Sequence, residues 1–136
     1  MTPVQKIALS IAGFTSLGIG AFILAAPHAF YASYGIALGQ DPSLLSELRA
    51  PGAGLAAFGA VMLAGIVRPA LRQTAIVAAL TVFLAFPAGR VAGLAIDGIP
   101  SSGILGALVL ELAIAVLCLF AFRRGADPKV TGLAAR

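Results

Sequence analysis

The 136-residue sequence predicts an all-α fold: a four-helix transmembrane bundle of up-down topology with both termini in the cytoplasm. Three observations predict it. Hydrophobic residues make up 60% of the chain and charged residues only 10%, against roughly half and a quarter in soluble domains. A soluble chain this short could not hide so much apolar surface, because small domains bury a modest fraction of their area. The apolar residues also fall into four stretches, each about the 20 residues needed to cross a hydrocarbon core. Finally, the basic residues cluster at one set of span ends.

The first span covers about 7–26 and carries no charge. It is longer than the apolar region of a signal peptide, about 7–15 residues, so it is expected to remain as a span. Pro27 opens a connector in which Phe30, Tyr31 and Tyr34 belong at the headgroup layer, where aromatics with polar tips are favoured. Tyr34-Gly35 ends it. Asp41-Pro42 reads as a helix start, with Asp as cap and Pro at the first helical position. The second span covers about 42–67, with Pro51 inside it. Gly52, Gly54, Gly59 and, in the third span, Gly93 are expected to pack helix against helix, since glycine lets backbones approach closely.

A basic turn, Arg68-Pro69-Ala70-Leu71-Arg72, leads to the third span, about 73–96, which contains Pro87 and Arg90. Asp97-Gly98-Ile99-Pro100 is a turn signal. Ser101 or Ser102 caps the fourth span, about 102–122, interrupted once by Glu111. Residues 1–123 thus form a single membrane domain, and 124–136 a basic cytoplasmic tail.

Lys6, Arg68, Arg72, Arg123, Arg124, Lys129 and Arg136 fall on one side of this arrangement. Arg49 and Arg90 fall in the other half, together with Asp41, Glu47 and Asp97. The positive-inside rule then puts both termini in the cytoplasm. The same bias explains the net charge of +4 without nucleic acid; there is no dense basic run or aromatic platform for one. It also argues against the small multidrug exporters, whose membrane carboxylate lies in the first helix. A single cysteine, Cys118, excludes an internal disulfide or a CxxC redox pair. A single histidine, His28, and the scattered carboxylates give no metal cluster, and no cofactor is expected.

Arg90 and Glu111 are the ionisable residues that lie deep in spans, at about 2.5–3.5 kcal/mol each on insertion scales. Arg90 sits about 9 Å, and Glu111 about 12 Å, below the same face at 1.5 Å rise per residue. Antiparallel neighbours at that depth can pair, which lowers the cost of both charges. Glu47, Arg49 and Asp97 enter the same layer. Three readings of this set, Glu47, Arg49, Arg90, Asp97 and Glu111, follow. It is a salt-bridge network that holds helix register, a polar pocket for a lipid headgroup, or a contact surface for a partner.

The segments Pro27-His28-Ala29-Phe30-Tyr31-Ala32-Ser33-Tyr34-Gly35 and Ser46-Glu47-Leu48-Arg49-Ala50 resemble the bacterial membrane family described as domain of unknown function 4345. Gly89-Arg90, Asp97-Gly98-Ile99-Pro100-Ser101 and Glu111 continue the resemblance, which covers roughly 5–123. It implies a multi-pass protein of the bacterial inner (cytoplasmic) membrane, no established activity, and the same five ionisable residues acting as one set. The leading functional expectation is a binding or accessory protein with a periplasm-side pocket. Its partner is a membrane lipid, a membrane protein or a second copy of the chain. A small enzyme on an apolar or quinone-like substrate, with Glu111 and Arg90 as acid-base pair, is the alternative. A proton- or ion-coupled transporter is the third reading.

Overall fold

A capping box starts the first helix. Thr2 Oγ1 accepts from the Gln5 amide at 3.2 Å, and Gln5 Oε1 accepts from the Thr2 amide at 3.2 Å. In this computed structural model, which describes residues 1–123, α1 therefore runs Pro3–Ala25, starting a turn before the apolar stretch itself. Pro27 starts α2, Pro27–Ala32, a short helix inside the connector. The left-handed backbone at Gly35 (φ 75°) then turns the chain, a conformation that costs glycine little.

Asp41 caps α3, Pro42–Val67, accepting from the Ser43 and Leu44 amides at 3.3 and 3.1 Å. Pro51 lies within it. A 3-10 turn, Pro69–Leu71, joins it to α4, Arg72–Ile96, which contains Pro87. Each internal proline leaves one carbonyl a turn earlier, those of Glu47 and Phe83, without its helical N–H. Ser101 precedes α5, Ser102–Phe122, but its hydroxyl makes no cap bond to the helix. It donates instead to the Tyr34 carbonyl at 2.7 Å, tying the connector to the start of α5. The expected tail, 124–136, lies outside the described residues.

Four helices are long and apolar enough to cross a membrane, and they alternate in direction. Gly13 and Gly20 on α1 meet Gly59 and Gly52 on α3 in reverse order. Gln5 Nε2 donates to the Ala121 carbonyl at 3.2 Å, so α1 begins where α5 ends. Around the bundle the order is α1, α3, α4, α5, closing back on α1; α3 and α5 lie on a diagonal, with their Cα atoms more than 8 Å apart. Large apolar side chains such as Phe14, Val109 and Val116 point outward. On a soluble protein such a surface would be an anomaly; on a multi-pass membrane protein it is the lipid face.

The tightest contact is α1 on α3. A methyl group on Gly20 would meet the Ala56 amide and the Gly52 carbonyl, and one on Gly59 the Leu17 amide and the Gly13 carbonyl. Ser16, buried between them, donates to the Leu55 carbonyl at 2.7 Å. Gly52 and Gly59 thus pack against α1. Gly54 and Gly93 meet no other helix among the described residues. Nothing stands within 4 Å of a methyl on Gly54, and a methyl on Gly93 would meet only Asp97 Oδ2, at 3.9 Å on its own helix. Gly54 is two residues from Gly52, which turns it to another face. The partners of Gly59 and Gly52 are Gly13 and Gly20, whose seven-residue spacing repeats the one between Gly52 and Gly59.

Candidate functional site

Arg90 and Glu111 meet across α4 and α5. Arg90 Nε lies 2.9 Å from Glu111 Oε2, and Arg90 Nη2 lies 3.1 Å from Glu111 Oε1. This fork engages both carboxylate oxygens, the geometry that makes arginine–carboxylate pairs strong. The pair is asymmetric in burial: 26% of the Arg90 side chain is exposed and 10% of that of Glu111. The short turn between α4 and α5 and the nearly equal depths of the two residues account for the meeting, as the rise along each helix predicts.

The pair forms part of the wall of a cavity of about 510 Å³. Ser16, Ile19 and Ile23 of α1 and Leu55 of α3 line one side of it. Val82, Phe83, Phe86 and Gly89 of α4 line another, and Ile104 of α5 stands near the pair. The connector completes the wall through Phe30, Tyr31, Tyr34 and Ile36. Phe30 is the buried hub there. Its ring meets Phe22, Tyr31 and Tyr34 edge-on at centroid distances of 5.4, 5.1 and 5.1 Å, a favoured aromatic arrangement. Along α4, Ala85, Phe86 and Gly89 are exposed, and a methyl on Gly89 would meet nothing within 4 Å. The cavity therefore has a window on the lipid-facing side of α4.

Both tyrosines sit outside the spanning segments. Burial pushes their phenols above the ordinary tyrosine value. For Tyr31 the neighbouring Tyr34 adds to the rise and Arg90 opposes it. For Tyr34, Arg90 opposes the rise and Glu111 adds to it. Both phenols are thus within electrostatic reach of the ion pair.

The other three expected site residues stand elsewhere. Arg49 Nη1 donates to the Leu24 carbonyl, closing the C-terminal end of α1, where helix carbonyls lack partners and a cation is favoured. Glu47 is exposed and makes no side-chain hydrogen bond or ion pair among the described residues. Neither lines the cavity; the contribution of α3 there is Leu55, deeper in the span. Asp97 is exposed and lines a separate pocket of about 220 Å³ that shares Arg90 and Ile104 with the main cavity. The five residues share an end of the bundle, but among the described residues only Arg90 and Glu111 of the set are joined by hydrogen bonds or an ion pair.

The family described as domain of unknown function (DUF4345) matches residues 4–122. The chain belongs to that family. Membership covers all four spans and the connector, so the cavity and its ion pair lie wholly within the family domain. No curated protein and no solved structure matches the chain.

Sequence reasoning placed the ion pair but missed most of the cavity wall. Ser16 was visible as a hydroxyl in a charge-free span. Phe30, Tyr31 and Tyr34 were visible as an aromatic run, yet an aromatic run at a span end is compatible with simple anchoring at the interface. Only the fold turns them inward over the bundle.

Proposed function

We propose that the protein is a binding or accessory protein of the bacterial inner membrane that holds one lipid-like amphiphile in this cavity. The observation that carries the reading is a mostly apolar cavity of about 510 Å³ with one paired arginine–carboxylate couple in its wall. Cavities of roughly 300–1,000 Å³ with a few convergent polar groups are the usual form of small-molecule sites. The apolar body lies among Ile19, Ile23, Leu55 and Phe83, and the polar end faces Arg90 and the two phenols. In the proposed orientation the basic ends face the cytoplasm and the cavity lies in the periplasmic half.

Two observations favour binding over the other roles. Both oxygens of Glu111 are engaged by Arg90, which suits a fixed recognition group better than a proton donor or carrier. Gly52 and Gly59, which could have clamped a partner helix, are used inside the chain against α1.

Native mass spectrometry of protein extracted in a mild detergent tests the proposal. The wild type is expected to carry one amphiphile per chain. Gly89→Leu places its side chain in open space at the window, so it is expected to fold and to lose the amphiphile. Repeated recovery of bare wild-type protein, or an unchanged load on the variant, overturns the reading.

A further inference from the structure

Taking the cavity as an amphiphile site, we infer that its ligand is an uncharged lipid bearing carbonyl oxygens at its polar end, and not an anionic lipid. The charge balance of the wall is the first ground. Among the described residues, Arg90 is the only cation and Glu111 the only carboxylate lining the cavity, and they are joined by two hydrogen bonds. The site is therefore neutral. An anionic headgroup reaching Arg90 would approach the carboxylate of Glu111 as closely. If it displaced that carboxylate, it would leave a buried anion beside another anion, which is a repulsive arrangement in a low-dielectric site.

The second ground is the hydrogen-bond inventory. A guanidinium has five N–H donors, and no acceptor. Two of those of Arg90 are used on Glu111, which leaves three to offer. Tyr31 and Tyr34 also line the cavity, and neither hydroxyl makes a hydrogen bond to the protein among the described residues. Each phenol supplies one more O–H donor. The Ser16 hydroxyl is already spent on the Leu55 carbonyl. The phenols can donate or accept, and the Glu111 oxygens, each already holding one bond, can leave a second lone pair unfilled, whereas the three guanidinium N–H groups can only donate; the demand around the pair is therefore for an acceptor. Carbonyl oxygens fit this and carry no charge. Two sources share that chemistry, the ring carbonyls of an isoprenoid quinone and the ester carbonyls of an acylglycerol.

The chain supplies its own reporter. It has two tyrosines and no tryptophan, and both tyrosines line the cavity. Tyrosine emission of the full chain in maltoside micelles is therefore titrated with three probes: a decyl-tailed benzoquinone, dioctanoylglycerol and dodecyl phosphate. The specific signal is the saturable part that Gly89→Leu removes. One of the two carbonyl probes is expected to bind at least about tenfold more tightly than dodecyl phosphate, and which one does so identifies the source.

Glu111→Gln keeps the shape of the side chain and leaves the charge of Arg90 unbalanced. It is expected to raise the affinity for dodecyl phosphate by about tenfold over wild type. Dodecyl phosphate binding the wild type as tightly as the carbonyl probes overturns the ligand class while leaving an amphiphile site in place. No saturable signal with any of the three overturns both. If Glu111→Gln does not fold, the wild-type comparison still decides; if it folds and keeps the wild-type preference, the charge argument is wrong.

Discussion

The α1–α3 contact and the α4–α5 contact hold two halves of one small bundle by opposite means. Between α1 and α3 the backbones touch. Gly13, Gly20, Gly52 and Gly59 leave no room for a methyl group, and one hydroxyl, that of Ser16, bridges the helices. Between α4 and α5, beside their apolar packing, the polar link is two long side chains, Arg90 and Glu111. In lipid there is little hydrophobic drive to bring helices together, so close packing and interhelical hydrogen bonds carry association. The first contact uses packing and forms a tight seam. The second uses a charged strut, and a cavity remains beside it. The difference teaches where a ligand can go: the seam fixes one wall, and the strut serves both as tie and as recognition group.

Breaking the seam has the largest expected effect. Gly59→Val sets a branched side chain against the Leu17 amide and the Gly13 carbonyl, neither of which can move aside without moving its helix. A loss of about 3 kcal/mol or more is expected in detergent unfolding titrations. The strut comes next. Arg90→Ala leaves the buried Glu111 without its partner. Fully buried pairs lose about 3–5 kcal/mol on such a change. With 26% of the Arg90 side chain exposed, about 2–3 kcal/mol is expected here. The double change Arg90→Met with Glu111→Leu is expected to restore most of that stability, since an apolar pair removes both desolvation costs. It is not expected to restore bound amphiphile by mass spectrometry. Restored binding would show that the strut only holds register.

At the small end, Gly54→Ala meets nothing and is expected to raise stability by ~0.5 kcal/mol through a stiffer unfolded chain. A marked loss there would mean that the face of Gly54 packs on something besides lipid. The smallest effect concerns the connector. Tyr31 and Tyr34 hold their protons more tightly when folded than unfolded. Above the ordinary tyrosine value, near 10, the unfolded chain therefore binds fewer protons than the folded one. Stability is then complete below that pH and declines as pH rises through the folded values. Absorbance titration of phenolate should show both tyrosines ionising above free tyrosine. Ordinary titration would place the phenols in water and away from the cavity.

Legibility in the sequence followed the physics of each feature. Asp41-Pro42 announced α3, because capping is a local contact between neighbours in the chain. The Arg90–Glu111 pair was legible because a short turn and a fixed helical rise set both depths. The contact of Arg49 was not legible, because its partner, the Leu24 carbonyl, is a backbone atom 25 residues away that no side-chain pattern marks. The outward facing of Gly54 and the inward facing of Gly13 and Gly20 were not legible, because glycine content does not reveal which face of a helix looks inward.

By itself the sequence determined the number of spans, their approximate limits, the charge difference between the two ends and the family to which the chain belongs. These depend on length, composition and local order along the chain. Only the tertiary structure decided how each helix is rotated about its axis. That rotation makes Gly20 and Gly59 a seam, leaves Gly54 facing outward and folds Tyr31 and Tyr34 over a cavity. In a soluble bundle the contrast between apolar and polar faces would have shown it. Here the lipid is as apolar as the core, so the outer face carries the same residues as the inner one and the pattern has no contrast to read.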